Sequence, residues 1–331
     1  MSFVQKALGT ETGVNVTNMG LMLFSTVIAF IIPFKLFLFV YAVLGPLHYL
    51  TEISWLDKRS YFIARKTYAW PCLLISILLT IALFNERSVI RYYSTSLIAA
   101  VVVYTLSISI SKKHILSLLL TTGVFVLFTF FKVDKLLPFV LTFSVFLPTV
   151  VHVFVFTGIF VLSGALKTKN TSGFISFGIF MLCALSFCFI QVPNTEIVSV
   201  EEKGYISKYF ITLNQSLADL FGVTHAGTHE EFFTLPGLVA VQRFIAFAYT
   251  YHYLNWFSKT TIIKWHEVSK SRLLLITVLW VLSVACYYID YRLGFMILFM
   301  LSMLHVFLEF PLNIVSVKGV GQGLKNIFSA R

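Results

Sequence analysis

The sequence predicts an all-α fold, a polytopic bundle of transmembrane helices with about nine or ten spans. Three observations predict it. The 331 residues are 58% hydrophobic and only 12% charged, whereas soluble domains carry about 25% charged residues. Apolar runs long enough for the roughly 20 helical residues that a bilayer core requires recur from residue 17 onward. The basic residues collect in every second connecting loop, as expected of a chain that crosses repeatedly. No polar stretch is long enough for a separate soluble domain. Residues 1–331 therefore read as a single integral membrane domain, with 193–235 as an extramembrane or interfacial loop.

The first apolar run, roughly 17–33, ends at Pro33 and Lys35, and a second occupies roughly 34–56. They are two spans, or one kinked or re-entrant element that would move the N-terminus to the outside. The first run does not look like a cleavable signal, because Glu11 lies upstream and no small-residue cleavage site follows it. Further spans are expected at roughly 67–85, 92–111 and 114–131. A long one with Pro148 inside it follows at roughly 136–166, then one at 172–192. After the loop come spans at roughly 236–258, 272–288 and 292–313.

The loop charges orient the bundle. Lys58, Arg59, Arg65 and Lys66 fall on the same side as Lys112 and Lys113, Lys167 and Lys169, Lys259, Lys264, Lys270 and Arg272, and finally Lys318, Lys325 and Arg331. The positive-inside rule places that side, and with it both termini, in the cytoplasm, for a multi-pass protein of the cell membrane. The loop at 193–235 falls opposite and is acidic, with Glu196, Glu201, Glu202, Asp219, Glu230 and Glu231 against Lys203 and Lys208. Its partly apolar stretch 206–221 reads either as an amphipathic segment lying on the membrane or capping the bundle, or as a plain surface loop. The net charge of +11 is spread over short loops rather than gathered on one face, which argues against a nucleic-acid partner. Cys72, Cys183, Cys188 and Cys286 lie in apolar runs and are expected to act as small hydrophobes without disulfides.

Ionisable groups inside spans are costly and mark function by default. His48 and Glu52 lie in Leu44-Gly-Pro-Leu-His-Tyr-Leu-Thr-Glu-Ile53, and His152 lies in Val150-Val-His-Val-Phe-Val155. His252 lies in Tyr249-Thr-Tyr-His-Tyr-Leu-Asn255, and His305 and Glu309 in Met303-Leu-His-Val-Phe-Leu-Glu-Phe310. All four spans run from outside to inside. At 1.5 Å per residue, His48, His252 and His305 come roughly 9 to 12 Å beneath the inner face. His152 comes out deeper, and a kink at Pro148 can bring it level.

Neutral imidazoles from separate helices at one depth suit a transition metal such as iron, copper or zinc. Glu52 and Glu309, each four residues after a histidine and one turn below it, can accept from the second ring nitrogen or ligate directly. Tyr49, Tyr251, Tyr253 and Asn255 add polar groups at that depth. The alternative is a polar structural network or a proton pathway.

Other candidates are weaker. His225 and His229 have the i, i+4 spacing of a metal pair, but Gly227 between them favours a capping loop. Arg243, beside Gln242 in a span, would meet a lipid headgroup or a carboxylate, or snorkel outward. His114 and His266 lie at cytoplasmic boundaries and are expected to be solvated. Walker A, Rossmann and Cys-x-x-Cys-His patterns are absent. So are the repeated histidine pairs of membrane desaturases, apart from the loop pair.

The order of motifs resembles that of the Brp/Blh family of bacterial membrane dioxygenases, which cleave β-carotene to retinal with non-haem iron held by histidines on transmembrane helices. Pro46-Leu-His48-x-x-x-Glu52 is similar to the family's early Pro-His-x-x-x-Asp, and His152-Val-Phe to its lone His motif. His252 is similar to its His pair, and His305-x-x-x-Glu309 to its late His-x-x-x-Asp. Leu47 separates Pro46 from His48, glutamates stand for both aspartates, and Trp256 occupies the second position of the His pair. The resemblance spans residues 44 to 310 and implies a dioxygenase in which His305 completes the ligand set.

The leading expectation is a membrane oxidoreductase with mononuclear non-haem iron on His48, His152, His252 and His305, and with Glu52 and Glu309 as its carboxylates. Its partners would be membrane lipids and a lipophilic substrate, such as a carotenoid, entering from the bilayer. The aromatic content, 17% Phe, Tyr and Trp, would wall a dry cavity. Two rivals stand beside it: a haem-binding electron carrier with two axial histidines, and a transporter or channel with a His/Glu proton relay.

Overall fold

The structure, a computed structural model, describes residues 10–59, 66–85, 87–111, 113–130, 145–224, 226–259 and 268–329. Every regular element among them is helical. Helix α1 (Glu11–Ile31) starts where the Thr10 hydroxyl accepts the Gly13 amide at 3.1 Å and Glu11 meets the positive helix end. It stops at Ile32, whose backbone leaves helical geometry, and α2 (Pro33–Phe39) restarts with proline in its first turn.

A wide π-helical stretch, Val40–Leu44, then leads into α3 (Gly45–Arg59). Pro46 supplies the reason for it: the ring lacks an N–H and would collide with the carbonyl of Ala42 in a regular α-turn. Next come α4 (Ala69–Phe84), the short α5 (Val89–Tyr92), α6 (Ser94–Ser111) and α7 (His114–Phe130). A second π-helical stretch, Leu147–Phe156, has Pro148 as its second residue and contains Thr149 at φ −114°, ψ −105°. It continues as α8 (Thr157–Thr168), closed by Lys169 in the left-handed region, φ +53°. Asn170 then caps α9 (Thr171–Phe189).

The chain goes on through α10 (Val200–Tyr205), which opens with a Ser199/Glu202 capping box, a π-helical turn Ile206–Phe210, and α11 (Ile211–Leu220). The remaining elements are α12 (Glu231–Thr234), α13 (Pro236–Ser258), α14 (Lys270–Ile289) and α15 (Tyr291–Ser329).

Seven helices among the described residues are long and apolar enough to span a membrane: Glu11–Ile31, Pro33–Asp57, Ser94–Ser111, Leu147–Thr168, Thr171–Phe189, Lys270–Ile289 and Tyr291–Ser329. The chain is thus an all-helical protein of membrane character, and the expected nine or ten spans reduce to seven by this measure. The difference has identifiable sources. Helices α4 and α7 are apolar but shorter, at Ala69–Phe84 and His114–Phe130. Helix α13 is long, yet its Gln, Arg, His and Tyr residues lower its hydropathy. Part of the expected span 136–166 lies outside the described residues. The last helix overruns its expected end at 313 because Pro311 is accommodated within it.

The described chain forms two compact units. In the first (1–44, 149–268, 317–331), α13 is the central element, and every residue from Val241 to Tyr253 is buried. A helix buried all round is surrounded by protein. Helices α1, α2, α9, α11 and α12 pack on it. The stretch 206–221 is helical, and its apolar residues Ile206, Phe210, Leu213 and Leu217 are buried. The amphipathic reading of that stretch therefore replaces the plain loop.

Helices α8 and α9 approach closely because residue 173 is glycine: a Cβ there would lie 2.8 Å from Ala165 Cβ and 3.0 Å from its Cα. Gly173→Ala is expected to destabilise the protein by about 1–3 kcal/mol, since backbone must move to relieve the overlap. A lowered thermal midpoint in detergent would record it.

Glu196 ties this unit together from the loop side. Its carboxylate accepts the Phe34 and Lys35 amides at 2.9 and 2.8 Å, capping α2 across 162 residues of sequence. Burial pushes its pKa above the ordinary carboxylate range, against the pull of those amides and of Lys35. A raised folded pKa means the folded state holds the proton more tightly than the unfolded one. Its contribution is therefore largest in acid and declines as pH rises from the ordinary glutamate value through the raised one. The stability of wild type relative to Glu196→Gln is expected to fall across that window in paired thermal melts, and a pH-independent difference would contradict it.

The second unit (45–148, 269–316) holds α3, α4, α5, α6, α7, α14 and the first part of α15. Helices α6 and α7 pair, α4 packs on α6, and α14 packs on α3. Cys72, Ile75, Leu79, Val101 and Tyr104 form its core with Val306 and Phe307 of α15. Tyr104 donates its hydroxyl to the Tyr68 carbonyl at 2.9 Å and lies 3.3 Å from His114 Nδ1, while the Tyr68 ring stacks on His114. His114 is thus partly exposed, as expected of a boundary residue, and also packed and hydrogen-bonded. Arg272 at the start of α14 pairs with Asp57 at 3.1 Å and reaches the Ser54 carbonyl, fixing α14 to α3.

Candidate metal centre

In the second unit, α3 presents His48 and Glu52 one turn apart on the same face, as the i, i+4 spacing dictates. His48 Nε2 lies 3.1 Å from Glu52 Oε2, and both side chains are only 1% exposed. Directly after the π-helical stretch, the Thr51 hydroxyl donates to the Leu47 and His48 carbonyls. Helix α15 brings His305, whose ring centre lies 5.4 Å from that of His48 with the planes at 84°. Tyr49 stacks on the His305 ring at 4.3 Å and holds its plane. Glu309, one turn further along α15, is also buried.

In the first unit, the π-helical stretch Leu147–Phe156 carries His152, and α13 carries His252. Their ring centres are 4.7 Å apart, with the planes at 66°. His252 Nδ1 lies 2.8 Å from the Thr157 hydroxyl. Thr157 opens α8 and was not singled out from the sequence, where nothing marks a threonine 95 residues from its partner. His152 and His252 are buried. Tyr253 meets the His252 ring edge-on at 5.6 Å, and Tyr251 stacks on Phe247. Asn255 is buried one turn further on.

Each contact, with the matching tautomer, would leave the opposite ring nitrogen for a metal. If His48 donates its Nε2–H to the Glu52 carboxylate, Nδ1 is the nitrogen with which it would ligate. If His252 donates its Nδ1–H to the Thr157 hydroxyl, Nε2 is its ligand atom. Fixing one ring nitrogen through an oxygen acceptor is how metal-bound histidines are oriented.

The spacing within each pair fits shared ligation. With each nitrogen about 2 Å from an ion, two imidazoles at an angle between about 90° and 120° put their ring centres about 4.5–5.5 Å apart. The observed 5.4 and 4.7 Å fall in that range. Two axial imidazoles on opposite faces of a haem would have ring centres about 6 Å apart with the porphyrin plane between them. Neither pair has that spacing.

The remaining candidates behave differently. His225 lies outside the described residues. His229 is exposed, with Nε2 at 2.6 Å from the Ser207 hydroxyl. The Glu231 carboxylate accepts the Gly227 and Thr228 amides, a loop-capping arrangement. His266 also lies outside the described residues. Arg243 does not snorkel: it is 3% exposed and donates to the carbonyls of Val192 and Pro193 at 2.8 and 3.3 Å.

No family model, curated protein or solved structure matches the chain.

Proposed function

We propose that the protein is a membrane-embedded oxidoreductase whose non-haem iron is held by His48, His152, His252 and His305. One observation carries the reading: two pairs of buried imidazoles lie at ligand-like ring spacing, and three of the four stand on helices long and apolar enough to span a membrane. Burying polar rings in such helices is costly unless they are put to use. His48, His152 and His305 each offer a ring nitrogen from a buried position, and His252 does so with Thr157 fixing its other nitrogen. That the four share one ion follows from the sequence argument, which places three of them at one depth and lets Pro148 bring the fourth level.

Iron, when bound, would supply the activation of dioxygen. The chain's own residues supply the rest. Glu52, its Oε2 3.1 Å from His48 Nε2, is the carboxylate placed to take up a proton at that nitrogen, and Glu309 is the second buried carboxylate available to accept or return one. Tyr49 stacks on His305 and keeps that ligand rigid. The substrate proposed is a lipophilic polyene such as a carotenoid, reaching the site from the bilayer. Cleaving one carbon–carbon double bond with one dioxygen molecule gives two carbonyl groups, so the reaction balances without an external reductant. The proposed setting is the cell membrane, with both termini cytoplasmic as the loop charges direct.

Metal analysis with an optical spectrum of the detergent-purified chain, followed by incubation with β-carotene, tests this. Near-stoichiometric iron without a Soret band, and aldehyde products that consume dioxygen one for one, are expected. Folded, monodisperse protein that binds no metal even on reconstitution with ferrous iron would overturn the reading.

A further inference from the structure

The first unit contains a second feature, lying towards the start of α13 and the end of α9, that the iron reading does not use. An apolar cavity of about 370 Å³ is walled by Phe154, Phe187, Ala240, Val241 and Phe244, within the usual range for small-molecule sites. Rim residues Met181, Leu185, Ile190 and Val192 are exposed hydrophobics, so in a membrane the cavity would open sideways to lipid. Among its walls stands a single ionisable cation, Arg243.

The state of that arginine is what points to a ligand. A guanidinium has five N–H donors, and here Nη1 and Nη2 donate to two carbonyls while Nε is buried with no hydrogen-bond partner. Among the described residues no carboxylate pairs with it. The acidic group that acts on it, Glu196, spends both its oxygens on the amides of α2. The Phe30 ring covers one side of the guanidinium at 5.3 Å. A buried, incompletely paired cation lining an apolar cavity is costly in the empty state and complementary to an anion with an apolar tail.

We infer that this cavity is a binding site for a single-chain amphiphile with a carboxylate head, its head on Arg243 and its tail among Phe154, Phe187 and Phe244. Size selects one chain: about 370 Å³ holds most of one acyl tail, whose end can pass out through the side opening, and is too small for the two tails of a phospholipid. Charge selects the head, since Glu196 acts on the guanidinium only from a distance while its oxygens are held by the α2 amides, and a carboxylate head would pair with it directly. The cavity lies wholly within the first unit, and the inference does not rest on the metal reading.

Native mass spectrometry of the full chain in detergent, titrated with palmitic acid or methyl palmitate, tests it. Wild type is expected to retain one palmitate per chain, half-saturating at a concentration at least about tenfold below that of the ester. Arg243→Gln is expected to abolish the difference between acid and ester. Ala240→Trp, which fills the cavity and keeps the arginine, is expected to abolish both adducts while the protein still elutes as a sharp peak. Equal retention of acid and ester by wild type would overturn the carboxylate assignment. Unchanged palmitate binding by Ala240→Trp would overturn the cavity as the site, whether or not Arg243→Gln folds.

Discussion

Single alanine substitutions at His48, His152, His252 and His305 are each expected to lower iron retention at least about tenfold, because removing a ligand cannot cost less than disturbing an outer partner, itself worth 10–100-fold. The pattern of loss is as informative as its size. If one ion is shared, every substitution abolishes the whole iron content. If the pairs His48/His305 and His152/His252 hold separate ions, each substitution removes half of it. That second pattern would overturn the mononuclear proposal while leaving metal binding intact. Iron per chain, measured after gel filtration at equal protein, separates the two. Tyr49→Phe serves as the control, since it keeps the ring that stacks on His305 and removes only the hydroxyl, and it is expected to retain iron.

The class of fold was legible because lipid imposes composition: a chain with so few charges and so many long apolar runs has helices to form and little else. Span number was less legible, and α13 shows why. A hydropathy scale measures compatibility with lipid, whereas α13 is surrounded by protein, so its His, Gln, Arg and Tyr residues say nothing against a helix through the interior. Residues 17–33 illustrate a boundary error. The helix begins at Glu11, where Thr10 caps it, because an N-cap is a single hydroxyl and does not register in an apolar run. The histidines were legible as costly buried groups, and the His48–Glu52 contact follows from i, i+4 spacing alone. Their pairing was not, for it depends on which helices pack. Nor was Thr157, or the widening of the helix at Val40–Leu44 and Leu147–Phe156, although Pro46 marks the turn before it as one where a regular α-helix is obstructed.

Those widened turns matter for the second large effect expected, at Glu52. A π-helical segment shifts the face that a helix presents, and such segments recur at functional sites. His48 follows one on the next turn, and Glu52 then meets its Nε2 at 3.1 Å. A carboxylate there does two things: it selects the tautomer with the proton on Nε2, and its charge makes the opposite nitrogen a better donor. Glu52→Gln keeps an oxygen able to accept the proton but removes the charge, whereas Glu52→Ala removes both. Iron affinity is therefore expected to fall about 10-fold in the Gln variant and towards 100-fold in the Ala variant, with the metal-free Gln protein melting close to wild type. A merely structural glutamate would behave in the opposite order, with melting temperature falling in both variants and the affinity for added ferrous iron unchanged. Competition against a chelator of known affinity, alongside thermal melts of the same preparations, distinguishes a residue that acts through His48 on the metal from one that only fills space between α3 and its neighbours.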